Sequence, residues 1–307
     1  MGKPDADAER VRMTGISTID DIGRVEHTCL IPDSEDHLWE ATAAYVAGGL
    51  AAGERVVYFE NETADVLLDR LADDRVPVAC ALADGGLIIV PTARTRQVCA
   101  YPVADIVELM RQQIVDADIE GWPGIRLAGE SRELLPIGGL RKLVEYETAV
   151  DVLLTAHPNA GMLCRFDRRF FDDEAVAAMR EIHPTELVLP ALYDDTLLRV
   201  TGSAATALRF AGEIDLSNRP QVRRLLENAL DSALRSPYAA TDITIDLTSL
   251  RFIDVAGAVE LVHAAETFPE THRLVLVGAR PGIHRVLDRC GAPFAAQLEV
   301  VPREEVR

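Results

Sequence analysis

From residue 27 onward, short β-rich apolar runs alternate with longer stretches in which apolar residues return at helical spacing, the pattern of a mostly parallel sheet covered by helices. The predicted strands are His27 to Ile31, Arg55 to Phe59, Leu87 to Val90, Gly124 to Ala128 and Gly161 to Phe166. Helices fall between them. One, from Asp36 to Ala52, follows the capping residues Asp33 and Ser34 and aligns Leu38, Ala41, Tyr45 and Gly49 on one face. A second, Val103 to Ile119, carries Ile106, Leu109, Met110, Gln113, Ile114 and Ala117 on one stripe. A third, Ile137 to Ala156, carries Leu140, Leu143, Val144, Val150 and Leu154, and Glu147 interrupts its apolar stripe.

After His183-Pro184 the texture changes to two β-rich runs that turn at Gly202-Ser203, and a second unit begins. Leu208 to Phe210 is predicted as a strand, and Ser217 or Asn218 caps a helix with Val222, Leu225, Leu226, Ala229, Ala233 and Leu234 on one side. A strand from Ile243 to Leu247, a helix after Asp254, a strand from Leu274 to Val277, a helix from Gly282 to Cys290 and a short strand near Leu298 complete it. The expected organisation is a flexible leader over residues 1–23, an α/β domain over 24–186 and a second α/β domain over 187–307, with no internal repeat.

Length agrees with two domains, since 307 residues exceed one compact core of ordinary size. With 31 basic against 50 acidic residues and a net charge of −19, a nucleic-acid ligand is not expected, because such affinity comes from clustered Lys and Arg. The five cysteines, Cys29, Cys80, Cys99, Cys164 and Cys290, are odd in number and form no CxxC pair, which suits a reducing compartment. No metal-ligand spacing stands out, and no cofactor is expected. The polar leader is no signal peptide, and no run of about 18 apolar residues exists to span a bilayer. A cytoplasmic location without membrane attachment is the expectation.

In open α/β sheets, ligands bind beyond the carboxyl ends of the strands, where Asp33, Glu60, Glu130 and Asp167 fall. Glu147 should point inward from its helix, and a buried carboxylate has to be paired or protonated, with His27 or Arg126 as partner. A structural salt bridge and a ligand contact both fit it. Tyr45, Tyr58 and Phe59 serve as pocket walls or as core, and Cys164 as core packing. Ile31-Pro32-Asp33-Ser34 stands where a phosphate loop would follow the first strand, so nucleotide hydrolysis is not expected. Without a nucleophile-base-orienter set or a metal triad, the chain is expected to be no enzyme. In the second half, a buried strand and turn lead to Asp254-Val255-Ala256-Gly257, where the backbone N–H groups of a helix start face solvent or a partner. Asp254 suits both a cap and a docking residue.

That stretch, Ile243 through Gly257, together with Gly212-Glu213-Ile214-Asp215-Leu216-Ser217-Asn218, resembles the STAS domain. The resemblance implies a mixed sheet with helices and an anti-sigma-factor antagonist acting in transcription regulation. In those proteins a Ser or Thr pair follows the aspartate, and one of the two is phosphorylated by a kinase-like anti-sigma factor. Val255 and Ala256 occupy the two positions here, and neither has a hydroxyl to receive a phosphoryl group. Asp215, Ser217, Asp254, Val255, Ala256 and Gly257 are the implied partner contacts, and Thr248, Ser249 and Ser217 the remaining hydroxyls for modification.

Over residues 24 to 185 the chain resembles the MEDS (methanogen/methylotroph DcmR-type sensory) domain. The similarity lies in Glu26-His27-Thr28-Cys29-Leu30-Ile31, the segment from Gly49 to Tyr58, Ala128-Gly129-Glu130, Glu145-Tyr146-Glu147, the segment from Cys164 to Phe170, and His183-Pro184. It implies a RecA-like, three-layer α/β core without a phosphate loop that binds a small organic molecule and signals to an attached domain. His27, Asp33, Tyr58, Glu60, Glu130, Glu147 and Asp167 are the candidate ligand-binding residues. The implied partner is a kinase-like anti-sigma factor or another STAS protein, with homodimerisation open. Two alternatives stand beside this: a subunit of a stress-sensing STAS assembly, and an enzyme using Glu130, Glu147 and His27 on a small metabolite.

Overall fold

The computed structural model describes residues 12–15, 27–74, 76–188, 191–204, 206–235 and 241–302. It divides into two compact units, the first chiefly residues up to Val188 and the second chiefly Leu189–Arg307.

The first unit runs β1 (Arg12–Gly15), β2 (His27–Leu30), α1 (Glu35–Ala51), β3 (Arg55–Phe59), α2 (Ala64–Asp73), α3 (Val78–Asp84), β4 (Leu87–Val90), α4 (Thr92–Cys99), α5 (Val103–Ile119), β5 (Ile125–Glu130), a single 3-10 turn (Ser131–Leu134), α6 (Leu135–Thr155), β6 (Ala160–Arg165), α7 (Asp173–Ile182) and β7 (Thr185–Val188). Its seven strands pair in the order β1-β7-β2-β6-β5-β3-β4, every pair parallel. The five predicted strands are all present. Within the expected leader, residues 12–15 form β1 on the edge of the sheet, whereas the rest of 1–23, and Glu26, lie outside the described residues. β7 carries the first unit to Val188, two residues past the expected boundary.

Side chains alternate across this sheet, as the period of a strand requires. Cys29, Val57, Ile125, Leu127, Met162 and Cys164 join one core cluster with α5, α6 and α7. The intervening residues face α1: a methyl group added at Gly49 would sit 2.8 Å from both Val56 Cγ2 and Arg126 Cδ, so helix and sheet meet there at backbone distance. Helices thus cover both faces, and the domain has the three-layer α/β architecture expected.

The second unit runs β8 (Tyr193–Asp194), β9 (Leu198–Ala204), β10 (Ala207–Ile214), α8 (Arg219–Arg235), β11 (Asp242–Asp246), β12 (Leu250–Ile253), α9 (Val255–Glu266), β13 (Arg273–Ala279), α10 (Pro281–Arg289), a 3-10 turn (Ala292–Phe294) and β14 (Leu298–Pro302). The sheet order is β14-β13-β11-β10-β9-β8, with β12 paired to β10 beyond the end of β11. β8, β9 and β10 are antiparallel and the other pairs parallel, which makes the mixed sheet expected. The predicted turn at Gly202-Ser203 is corrected: both residues continue β9, Gly202 lies opposite Leu208, and the reversal falls after Ala204. Val222, Leu226, Ala229 and Ala233 of α8 meet Ile243, Ile245, Leu274 and Leu276 in one core. No described helix is long and apolar enough to cross a membrane.

Candidate functional site

Glu147 lies on α6 among the buried residues Leu143, Tyr146, Val150 and Leu154, so the helix carries its carboxylate into the core. β2 and β6 pair so that His27 stands opposite Met162 and Cys29 opposite Cys164, which brings His27 and Cys164 under that carboxylate. His27 Nε2 is 3.4 Å from Glu147 Oε2, and Cys164 Sγ is 3.2 Å from the same oxygen and 3.6 Å from His27 Nε2. His183, the residue after α7, completes the group with its Nε2 at 3.7 Å from Glu147 Oε2. All four side chains are buried. His27 is the partner of Glu147, as one of the two predicted options held. Arg126 is not: it points to the opposite face of the sheet and forms a buried ion pair with Glu54 at 2.5 Å.

Outside contacts orient three of the four members. His27 Nδ1 lies 3.1 Å from Asp151 Oδ1, Ser131 donates its hydroxyl to Glu147 Oε1 at 2.9 Å, and His183 donates Nδ1–H to the Met179 carbonyl at 2.8 Å. Burial pushes the Glu147 carboxyl up, but the His27 hydrogen bond and neighbouring imidazole charge outweigh it and leave the group below its ordinary value. Burial, and then the Glu147 charge, hold the Cys164 thiol far above its usual range. Burial lowers His183 to about 4, which keeps it neutral near pH 7.

Beyond the carboxyl ends of β3, β4 and β5 lies a largely apolar cavity of about 250 Å³, lined in part by Phe59, Val90, Val98, Met110, Leu134 and Tyr146. Glu130 and Ser131 also line it. Because Ser131 bonds Glu147, the cavity wall and the buried cluster share a residue. Burial raises the Glu130 carboxyl, favouring its neutral form against an apolar occupant.

Of the seven candidate ligand-binding residues, Glu130 alone lines this cavity. His27 and Glu147 belong to the cluster behind it. Asp33 is exposed after β2. Tyr58 is buried on the α1 face with its hydroxyl 2.8 Å from Thr63 Oγ1. Glu60 fastens two loops, accepting from the Thr92 amide at 2.7 Å and the Thr63 amide at 3.1 Å. Asp167 binds Arg169 at 2.6 Å. Strand-end position alone did not separate loop-building carboxylates from one facing a cavity. Cys164, expected as plain core packing, and His183 sit instead within the polar cluster.

In the second unit, Ile214 and Ile253 are partners in the parallel β10/β12 pair, so the two chain segments leave the sheet side by side. Asp215 accepts from the Ser217 amide at 2.8 Å and its hydroxyl at 2.6 Å. Asp254 is the N-cap of α9 and accepts from the Gly257 amide at 2.6 Å. Replacing Asp254 with alanine is expected to remove about 0.5–2 kcal/mol of stability, measured by urea denaturation with secondary structure followed by circular dichroism. Gly257 is buried and fits against Ile214, where a methyl group would approach Cγ2 to 2.8 Å. Val255 and Ala256 are exposed. Leu216 and Phe252, which sequence reasoning missed, are exposed beside them. Thr248 and Ser249, considered for modification, are buried and engaged: Thr248 bonds Asp246, and Ser249 accepts from Arg209 at 2.7 Å.

Residues 26–184 match the family model of MEDS, the MEthanogen/methylotroph, DcmR Sensory domain, and residues 197–299 match that of the STAS domain. No curated protein matches the chain. Among solved structures, flagellar accessory protein FlaH from Methanocaldococcus jannaschii is similar at a TM-score of 0.39 and 9% identity, over 57% of this chain and 76% of that one. Since the first match spans more than half its length, the chain belongs to the MEDS family, with a STAS domain following the sensory domain in a regulatory or signalling protein.

Proposed function

We propose that the protein is a non-catalytic, anti-sigma-factor antagonist-like regulator whose STAS domain binds a kinase-like anti-sigma factor or another STAS protein. Control comes from occupancy of the first domain by a small organic molecule, and not from phosphorylation. One observation carries this reading: apolar Val255 stands 67% exposed at the start of α9, with Leu216 75% and Phe252 48% exposed on the neighbouring segments. A monomeric surface has little reason to gather such side chains around one helix start, whereas a protein partner would bury them. The apolar cavity of the first domain supplies a place for the organic ligand.

Val255→Glu is expected to weaken partner binding about 10- to 30-fold in calorimetric titration, because it sets a charge at the centre of the buried patch. Unchanged affinity would remove this surface from the interface. With ATP and the kinase-like partner, the segment 254–257 is expected to stay free of phosphate, and its stoichiometric labelling would overturn the proposal.

The enzyme alternative has one geometric feature in its favour. Cys164, His27 and Asp151 stand in the order of a nucleophile, base and orienter, a set the sequence did not display. Against it, the thiol is fully buried, and both burial and the Glu147 charge keep it protonated. This arrangement suppresses a thiolate instead of activating one.

A further inference from the structure

We propose that His27, Glu147, Cys164 and His183 form a four-coordinate site for a divalent transition-metal ion of the zinc class, buried behind the cavity of the sensory domain. The ligand atoms all lie within 4.8 Å of one another. For metal–nitrogen and metal–oxygen bonds near 2.05 Å and a metal–sulfur bond near 2.3 Å, the edges of a tetrahedron are about 3.3–3.6 Å. Four of the six edges, 3.4 Å for His27 to Glu147, 3.2 Å for Cys164 to Glu147, 3.6 Å for Cys164 to His27 and 3.7 Å for His183 to Glu147, bracket that range, and the two from His183 to His27 and Cys164 lie within 4.8 Å.

The chemistry of the set agrees with its geometry. Two imidazoles, a thiolate and a carboxylate suit a borderline-soft ion, and their two negative charges neutralise a divalent one in a region closed to water. Three of the four ligands are also oriented from outside: His27 by Asp151, Glu147 by Ser131, and His183 by the Met179 carbonyl. Metal-bound histidines characteristically show such partners on their second ring nitrogen.

Hydrogen bonding alone accounts for the cluster less well. It leaves His183 with a lone pair at Nε2. That atom is buried, has no hydrogen-bond partner, and faces Glu147 Oε2 at 3.7 Å with its ring's proton already committed to Met179. A cation at the centre satisfies both atoms. Bound there, it would join β2, β6, α6 and the end of α7, and through Ser131 it would fix one wall of the cavity.

The test is titration of the chelator-treated full-length protein with cobalt(II). One equivalent is expected to bind with a thiolate-to-metal charge-transfer band and the intense visible bands of a tetrahedral ion. The charge-transfer band should persist in Cys29→Ser and Cys80→Ser and vanish in Cys164→Ser, whose folding is checked by the fluorescence of Trp39 and Trp122. Asp151 is a positioning residue, 39% exposed, and Asp151→Asn is expected to weaken cobalt affinity roughly 10- to 100-fold while the band remains. Should Cys164→Ser fail to fold, His183→Ala serves in its place, with loss of the tetrahedral bands expected. Absence of stoichiometric binding by the wild-type chain, or a charge-transfer band that survives in folded Cys164→Ser, would overturn the site. Neither outcome depends on whether the STAS domain finds its partner.

Discussion

Glu147→Ala is expected to lower the unfolding free energy of the first unit by about 3–5 kcal/mol, the usual scale for removing one member of a buried ionic network. The carboxylate accepts from Ser131 and Cys164 and stands 3.4 Å from His27, all inside a closed core. Its loss strands a hydroxyl and an imidazole nitrogen where water cannot replace it, and leaves a void beneath α6. Both tryptophans, Trp39 and Trp122, belong to the first unit, so urea denaturation followed by their fluorescence reports on that unit alone. Glu145→Ala, two positions away and exposed, is the control and should change stability by no more than about 0.5 kcal/mol. A cost for Glu147→Ala below about 1 kcal/mol would mean that the carboxylate does not hold the cluster together.

How far this site was legible in the sequence follows from the physics of its parts. Glu147 was legible because a single charge interrupting an apolar helical stripe has only one place to go. His27 followed as a partner, since a buried carboxylate needs a donor. The other two members depend on register and chain reversal. Cys164 reaches Glu147 because β2 pairs with β6 so that Cys29 faces Cys164, and His183 arrives because α7 ends where its ring caps the Met179 carbonyl. Neither relation leaves a local pattern.

The same distinction runs through the fold. The central strands announced themselves as apolar runs, whereas β1 carries little apolar signal and exists through its pairing with β7. α4, with the sequence Thr92-Ala-Arg-Thr-Arg-Gln-Val-Cys99, has almost no apolar stripe, and it supplies Thr95, Val98 and Cys99 to the cavity. The cavity was therefore hidden for the reason its helix was. In the second unit, β12 is a four-residue strand with only Leu250 and Ile253 buried, too short for alternation to show.

Gly212→Ala is expected to destabilise the second unit by about 2–6 kcal/mol, the sum of strain at a left-handed backbone position and overpacking. Its φ is +110°, and a methyl group built there would lie 2.0 Å from the Leu197 carbonyl oxygen. That oxygen is not free to retreat, because it accepts the amide of Glu213 at 2.8 Å while the Gly212 amide donates to Ser249 at 3.1 Å. The residue stands where the β10/β12 pairing shifts register, between Gly212 and Glu213, and only a chain without Cβ passes that point. Gly282→Ala is the comparison: it lies in the first turn of α10 with nothing within 4 Å of the added methyl, and is expected to stabilise by about 0.4–1 kcal/mol. Hydrogen–deuterium exchange of the β9 and β10 peptides separates the two, with faster exchange in Gly212→Ala alone. Gly212 leads through Ile214 into Asp215 and Leu216, so displacing it also moves one side of the exposed patch. Partner affinity should accordingly fall in Gly212→Ala and remain unchanged in Gly282→Ala, and equal affinity in both would show that the binding surface does not include the end of β10.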